Sequence, residues 1–192
     1  MSMLMLAGLG NPGREYQATR HNAGAWWIDA LCDHYRATLK ASPKLFLSHA
    51  EITLENIKLK LVIPTTYMNQ SGHAIKLGLD YFNLSPQNLV VAHDDLDLPP
   101  GSVRFKTGGG HGGHNGLRDI LHHLKTPDFH RLRIGIGHPG NKDDVVDYVL
   151  HPPSKSDKKQ IETAIGEAVD VLPLLVLQDF QAVMNRLHRF QA

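Results

Sequence analysis

The chain has 192 residues, 42% of them hydrophobic and 20% charged, which suits one globular domain with a sizeable core and excludes a disordered or fibrous chain. With 20 Lys and Arg against 19 Asp and Glu the net charge is +1, so any surface for an acidic partner has to be a local patch. Cys32 is the sole cysteine, which excludes an intrachain disulfide and a Cys-rich zinc site. No apolar stretch reaches the ~20 residues of a membrane span and no basic n-region precedes the apolar start, so a cytoplasmic protein with no membrane partner is expected.

Residues 3–9 form a short apolar run ending in glycines, the pattern of a strand buried on both faces of an α/β sheet. Gly8-Leu9-Gly10-Asn11-Pro12-Gly13 then matches G-x-G-x-x-G. A dinucleotide fingerprint also needs a helix opening inside the motif and an acidic residue about 20 positions on, at the end of a second strand. A polar stretch through Tyr16, His21 and Asn22 follows instead, and Asp29 falls inside a helical pattern, so the motif is read as a decoy. Residues 23–39 carry apolar side chains at helical spacing, with Trp26, Trp27, Ala30 and Leu31 as core contacts.

Residues 45–54 and 57–63 predict two strands meeting at a Glu55-Asn56 turn. The second ends at Thr65-Thr66-Tyr67-Met68-Asn69, before a helix in which Thr65 or Thr66 is the expected cap. Asn69 has no such structural duty, and an amide at a strand's carboxyl end is where open α/β sheets place ligand contacts. Residues 89–92 predict the most buried strand, running into His93-Asp94-Asp95-Leu96-Asp97. After a Pro-Pro-Gly turn, residues 103–106 alternate like an exposed strand with Arg104 and Lys106 on one face.

Gly108-Gly109-Gly110-His111-Gly112-Gly113-His114-Asn115-Gly116 follows, with six glycines in nine residues. Such a run is retained where backbone must turn tightly or let another molecule come close, and its histidines separate it from an ordinary linker. Asn115 is the expected N-cap of the next helix, whose free N–H groups would face an anion or a carbonyl oxygen. Residues 132–137 predict a further strand, residues 145–150 a short helix or extended run, and residues 154–187 one or two helices interrupted near Pro173.

The polar groups gather at loops leaving strand ends: Asn11 to Asn22, Tyr67 to Asn69, Asp94 to Asp97 and the glycine run. No G-x-S-x-G is present and Cys32 sits in a helix, so a nucleophile elbow is not expected. Two mechanisms fit. A histidine held by an aspartate could activate water while amides stabilise the oxyanion, or His93, Asp94, Asp97, His111 and His114 could hold one or two metal ions. No H-E-x-x-H or similar spacing supports the metal. A non-catalytic RNA-binding module is the alternative of another class, because Arg104, Lys106, Arg118, Lys125, Arg131 and Arg133 oppose only Asp119 and Asp128 in that stretch.

Gly8 to Gly13, Thr19-Arg20-His21-Asn22-Ala23-Gly24, Pro64 to Asn69, His93 to Asp97 and the glycine run, in this order, resemble bacterial peptidyl-tRNA hydrolase. The likeness extends from Leu6 to about Pro153 and is looser over the C-terminal helices. It implies a single domain over residues 1–192, with a twisted, mostly parallel mixed β-sheet surrounded by helices and a C-terminal helical part at about 154–190. It implies cleavage of the ester joining a peptide to the acceptor end of tRNA by a monomer, with no metal, no other cofactor and no covalent intermediate. His21 corresponds to the family's general base and Asp94 to its orienting aspartate. Asn11, Asn69 and Asn115 correspond to substrate-holding asparagines, with Tyr16, Tyr67 and His114 beside them, and Arg104, Lys106 and Arg133 to a phosphate clamp. Arg104 stands where a lysine is often found, which keeps the charge and changes its geometry, and residues 125–128 look slightly short for their loop.

Overall fold

The computed structural model describes residues 3–192. Its centre is a seven-stranded mixed sheet with the order β2-β3-β4-β1-β5-β7-β6. The strands are β1 (Leu4–Gly8), β2 (Lys40–Ser42), β3 (Leu47–Leu54), β4 (Ile57–Pro64), β5 (Leu89–Asp95), β6 (Val103–Thr107) and β7 (His130–Gly135). The pairs β4–β1, β1–β5 and β5–β7 are parallel, while β2–β3, β3–β4 and β7–β6 are antiparallel. The α/β fold expected from the sequence is therefore present, with its parallel strands in the middle and an antiparallel margin on each side.

β1 shows why the central strands are continuously apolar: Leu4 and Leu6 belong to the core on one face, Met5 and Ala7 to the core on the other. The first core is covered by α1 (Ala23–Tyr35), α5 (Lys155–Asp170), α6 (Leu172–Val176) and α7 (Phe180–Arg189), through Trp27, Leu31, Ile161, Leu172 and Leu187. The second is covered by α2 (Ser71–Tyr81) and α3 (Asn115–Leu124), through Ile75, Leu79, Leu117 and Ile120. A short α4 (Val145–Val149) lies between β7 and α5 in the chain. No helix among the described residues is long and apolar enough to cross a membrane.

The Gly8 to Gly13 motif acts in packing. A Cβ on Gly8 would stand 2.3 Å from the Gly24 carbonyl oxygen, and a Cβ on Gly24 2.2 Å from that of Ala92. These two glycines let the start of α1 press onto the ends of β1 and β5, and the backbone closes the contact from Leu9 N to Ala92 O at 3.1 Å and from Ala25 N to Leu9 O at 3.0 Å. The turn of residues 20–22 that precedes α1 is thereby fixed beside the end of β5.

Several local expectations are corrected. His114, and not Asn115, caps α3: its Nδ1 accepts the N–H groups of Gly116 and Leu117, a geometry an imidazole one residue earlier reaches. Neither Thr65 nor Thr66 caps α2, because a single 3₁₀ turn, Met68–Gln70, intervenes and Gln70 takes the cap position. The C-terminal segment is three helices, since Pro173 opens the short α6 and Asp179 caps α7 by accepting from Ala182 N. Residues 145–150 resolve in favour of a helix, α4. The β3–β4 hairpin turns at Glu55 and Asn56 as expected, both at positive φ (51° and 62°).

Candidate active site

Three chain segments converge at the carboxyl end of β5. The buried turn Arg20–Asn22 brings His21, β5 brings Asp94, one residue before its end, and the residue before α3 is His114. His21 Nδ1 lies 2.9 Å and 3.0 Å from the two carboxylate oxygens of Asp94, and His114 Nε2 lies 2.8 Å from Oδ1 of the same carboxylate. Asp94 is 4% exposed and His21 8%.

The hydrogen-bond pattern fixes both tautomers. Nδ1 of His114 accepts from two backbone N–H groups at 3.1 and 3.3 Å, so its Nε2 carries the hydrogen and donates to Asp94. Facing the carboxylate, His21 Nδ1 must also donate, which leaves the lone pair on Nε2. That Nε2 has no partner among the described residues, and His21 lines a cavity of about 810 Å³.

Electrostatics follow from the same contacts. Burial alone would lower the His21 pKa, but the charge and hydrogen bond of Asp94 outweigh it and raise the pKa above its ordinary value. Burial opposes ionisation of Asp94, yet the two imidazoles hold its carboxyl well below the usual carboxylate range. His93 is pushed down to about 3 by burial and by the neighbouring His114, so it is a neutral ring whose Nδ1 donates to the Asp94 carbonyl at 2.8 Å. His93 therefore does not titrate near neutrality, and its ring meets that of His114 edge-on, centroids 5.1 Å apart.

The asparagines are oriented with the same economy. Asn11 Oδ1 accepts from Met68 N at 2.7 Å, which leaves its Nδ2 hydrogens for the cavity that Asn11 lines. The Asn11 backbone is itself clamped by Asn22, from Asn11 N to Oδ1 at 2.9 Å and from Nδ2 to Asn11 O at 3.0 Å. Asn115 Oδ1 accepts from Arg118 Nη1 at 2.8 Å, again leaving the amide hydrogens free. Asn69 and Tyr67 line the same cavity. Tyr16 does not line it; its ring meets Tyr67 edge-on, centroids 6.3 Å apart.

The cations divide by strand register. β6 and β7 pair Arg104 with Arg133 and Lys106 with Arg131, so all four start from one face of the sheet. Lys106, Arg131 and Arg133 line the cavity. Arg133 Nε is paired with Asp95 at 2.7 Å, while Lys106 has no ion pair among the described residues and is lowered in pKa by burial and by Arg131 and Arg133. Arg104 stands apart from the cavity, donating from Nη1 to the carbonyls of Val103 at 2.9 Å and Leu187 at 3.2 Å.

Two arginines have anchoring roles that the sequence does not disclose. Arg131 is 1% exposed and donates from its two terminal nitrogens to the carbonyls of Gly110 and Gly109, pinning the glycine loop to β7. Arg20 donates from Nη1 to Tyr148 O at 2.9 Å and His151 O at 3.1 Å and stacks over the Tyr148 ring, tying the His21 turn to the α4 segment. Both sit among ordinary charged residues in the sequence, and only the topology reveals their partners. In the loop, Gly108, Gly109, Gly112 and Gly113 all have positive φ, and a Cβ on Gly110, Gly112 or Gly113 would meet nothing within 4 Å, so this cavity wall is thin.

His21, Asp94 and His114 offer ligand atoms within 4.8 Å of one another, the cluster among the described residues close enough to engage a cation. The nitrogens, however, stand at hydrogen-bond distance from the carboxylate and carry hydrogens that point at it. Asp97, His93 and His111, the remaining members of the metal set considered from sequence, stand outside this cluster. What the arrangement equips is a general base with a free Nε2, a buried carboxylate behind it and two amide donors facing the same space, the equipment of a hydrolytic enzyme.

The peptidyl-tRNA hydrolase family model matches residues 5–192. The chain is 50% identical to peptidyl-tRNA hydrolase of Salmonella paratyphi B over 100% of both chains, and 49% identical to that of Sodalis glossinidius over 100% of this chain and 99% of the relative. The crystal structure of peptidyl-tRNA hydrolase from Acinetobacter baumannii superposes with a TM-score of 0.95 at 43% identity, covering 98% of this chain and 96% of that one. The chain belongs to the peptidyl-tRNA hydrolase family.

Proposed function

We propose that this chain hydrolyses the ester between a peptide and the terminal ribose of tRNA, with His21 as general base on water. The observation that carries the mechanism is the free Nε2 of His21, held by the Nδ1 contact to Asp94 and facing a cavity. Nε2 takes a proton as the water oxygen bonds to the ester carbonyl carbon. The carbonyl oxygen gains the charge, and the Nδ2 hydrogens of Asn11 and Asn115 are oriented to receive it, with Asn69 as a third amide along the peptide. When the carbon–oxygen bond to ribose breaks, the proton on His21 passes to the leaving oxygen. An alcohol leaves more readily than an amine, so one histidine–aspartate pair is sufficient acid–base equipment, and neither a metal nor a covalent intermediate is needed.

Asp94 and His114 are positioning residues here. Lys106 and Arg133 meet backbone phosphates of the tRNA acceptor end, which position the substrate without reading its sequence. Arg104, matched to the same clamp by family resemblance, is assigned a supporting place at the margin of that patch; Tyr16 is assigned to supporting Tyr67. The enzyme is assigned to the cytoplasm, where translation produces its substrate, and is expected to act as a monomer.

The test is incubation with a peptidyl-tRNA of blocked amino terminus. Release of the intact peptide acid together with intact tRNA supports the reading. Cleavage inside the RNA or the peptide, tRNA binding without cleavage, or activity abolished by chelators and restored by zinc or manganese would overturn it.

A further inference from the structure

We infer that a second groove binds the peptide portion of the substrate upstream of the residue esterified to tRNA; the assignment presupposes the esterase activity proposed above. The groove, about 620 Å³, is lined by Pro12, Phe46, Thr66, Tyr67, His73 and His123 among others. It lies beside the turns that follow β1 and β4, with α2 and α3 as its far side. Tyr67 lines both this groove and the cavity at His21, and Pro12 follows Asn11, so the two spaces adjoin at Tyr67.

Strand order gives the direction. Along the carboxyl edge of the parallel strands, Arg133 belongs to β7 beside the cationic β6, Asp94 lies one residue before the end of β5, Asn11 follows β1, and Thr66 and Tyr67 follow β4. The ester separates tRNA from peptide. With phosphates over β6 and β7 and the scissile bond at β5 and β1, the peptide continues toward β4, where the groove lies.

The lining suits an extended peptide of varied side chains. Tyr67 is 56% exposed and Phe46 44%, and Phe46 holds its place at φ 53°, in the left-handed region that a bulky residue rarely adopts. Its N–H and carbonyl are tied to Pro43 O at 3.2 Å and Thr65 N at 2.8 Å, so the ring is presented by a fixed backbone. The His73 ring lies 5.4 Å from Phe46 and 5.9 Å from His123, continuing a row of flat groups. Asp119, the carboxylate in the lining, is already occupied by Gly72 N at 2.8 Å and His123 at 3.4 Å. Such a surface holds chains by stacking and backbone hydrogen bonds and discriminates little by charge.

Two substrates on the same tRNA with the same esterified residue test this, one carrying that residue alone and one a tetrapeptide, both N-acetylated. Phe46→Ala and His73→Ala alter exposed side chains outside the catalytic cluster. Wild type is expected to have the lower KM for the tetrapeptide, and each variant to raise that KM roughly three- to tenfold while leaving the single-residue substrate unchanged. Equal handling of both substrates by wild type, parallel losses on both in the variants, or a length effect moved by Val146→Ala on α4 instead would overturn the groove assignment while leaving the esterase in place. Failure of wild type to cleave either substrate would overturn the activity itself, and the groove with it.

Discussion

Asp94 Oδ1 accepts from His114 Nε2 at 2.8 Å, so the carboxylate that orients His21 is itself held in place by a second imidazole. Both rings donate to it, and nothing in this arrangement tolerates a donor at the position of Asp94. Asp94→Asn must turn an NH₂ toward one of two N–H groups. We expect kcat to fall ~10²–10⁴-fold with a small change in KM, measured by steady-state cleavage of a blocked peptidyl-tRNA. A loss confined to KM would place Asp94 in binding instead.

The raised pKa of His21 gives the pH dependence its sign. The base must be neutral, so kcat/KM should rise with pH through an acid limb above ~6.5. Removing the carboxylate leaves burial as the main influence, and the residual activity of Asp94→Asn should show that limb displaced to lower pH. Stability runs the other way. A histidine with a raised folded pKa stabilises the fold fully below ~6.5 and loses this as pH rises through the folded value, while a depressed aspartate contributes above ~4 and loses this as pH falls. Denaturation midpoints of wild type and His21→Asn should therefore differ most between about pH 4 and 6.5 and converge above that window.

Asn11 offers a substitution that separates folding from catalysis. Asn11→Asp keeps an oxygen for Met68 N and replaces the free amide donor with a second oxygen facing the substrate carbonyl. Turnover should fall ~10²–10³-fold while the melting temperature changes little. Near-normal turnover would show that the oxyanion is held elsewhere.

Arg131 grips the glycine loop through two consecutive carbonyls, and a lysine cannot reproduce that fork. Arg131→Gln and Arg131→Lys should both speed proteolytic nicking between Gly108 and Gly113 and raise KM roughly tenfold, with a lesser effect on kcat. Unchanged nicking in both variants would contradict the anchoring role.

Much of this was legible before the structure because strands and their terminal loops announce themselves. The apolar runs of β1, β4 and β5 and the polar residues at their carboxyl ends placed Asn11, Asn69 and Asp94 at one sheet edge. His21 was harder: a lone histidine before a helix is ordinary, its polar neighbours Asn11, Tyr16 and Asn22 marked it as a candidate, and the family likeness gave it the role of the base. Three things lay outside local pattern. His114 displaced Asn115 as the cap because the imidazole spans from two α3 amides to Asp94, a long-range bond that helix-start preferences do not contain. Arg131 alternates along β7 like any edge charge until β6 and the glycine loop fold over it. Arg104 looked equivalent to Lys106 by alternation, yet α7 crosses the sheet edge and captures its guanidinium at Leu187 O.

The most direct test of the central claim is single-turnover cleavage of a blocked peptidyl-tRNA by wild type and by His21→Asn, with tRNA binding measured in parallel. Loss of ~10²–10⁴-fold in the chemical step with binding retained is the predicted result. Cleavage by His21→Asn at close to the wild-type rate would contradict the assignment of His21 as the base.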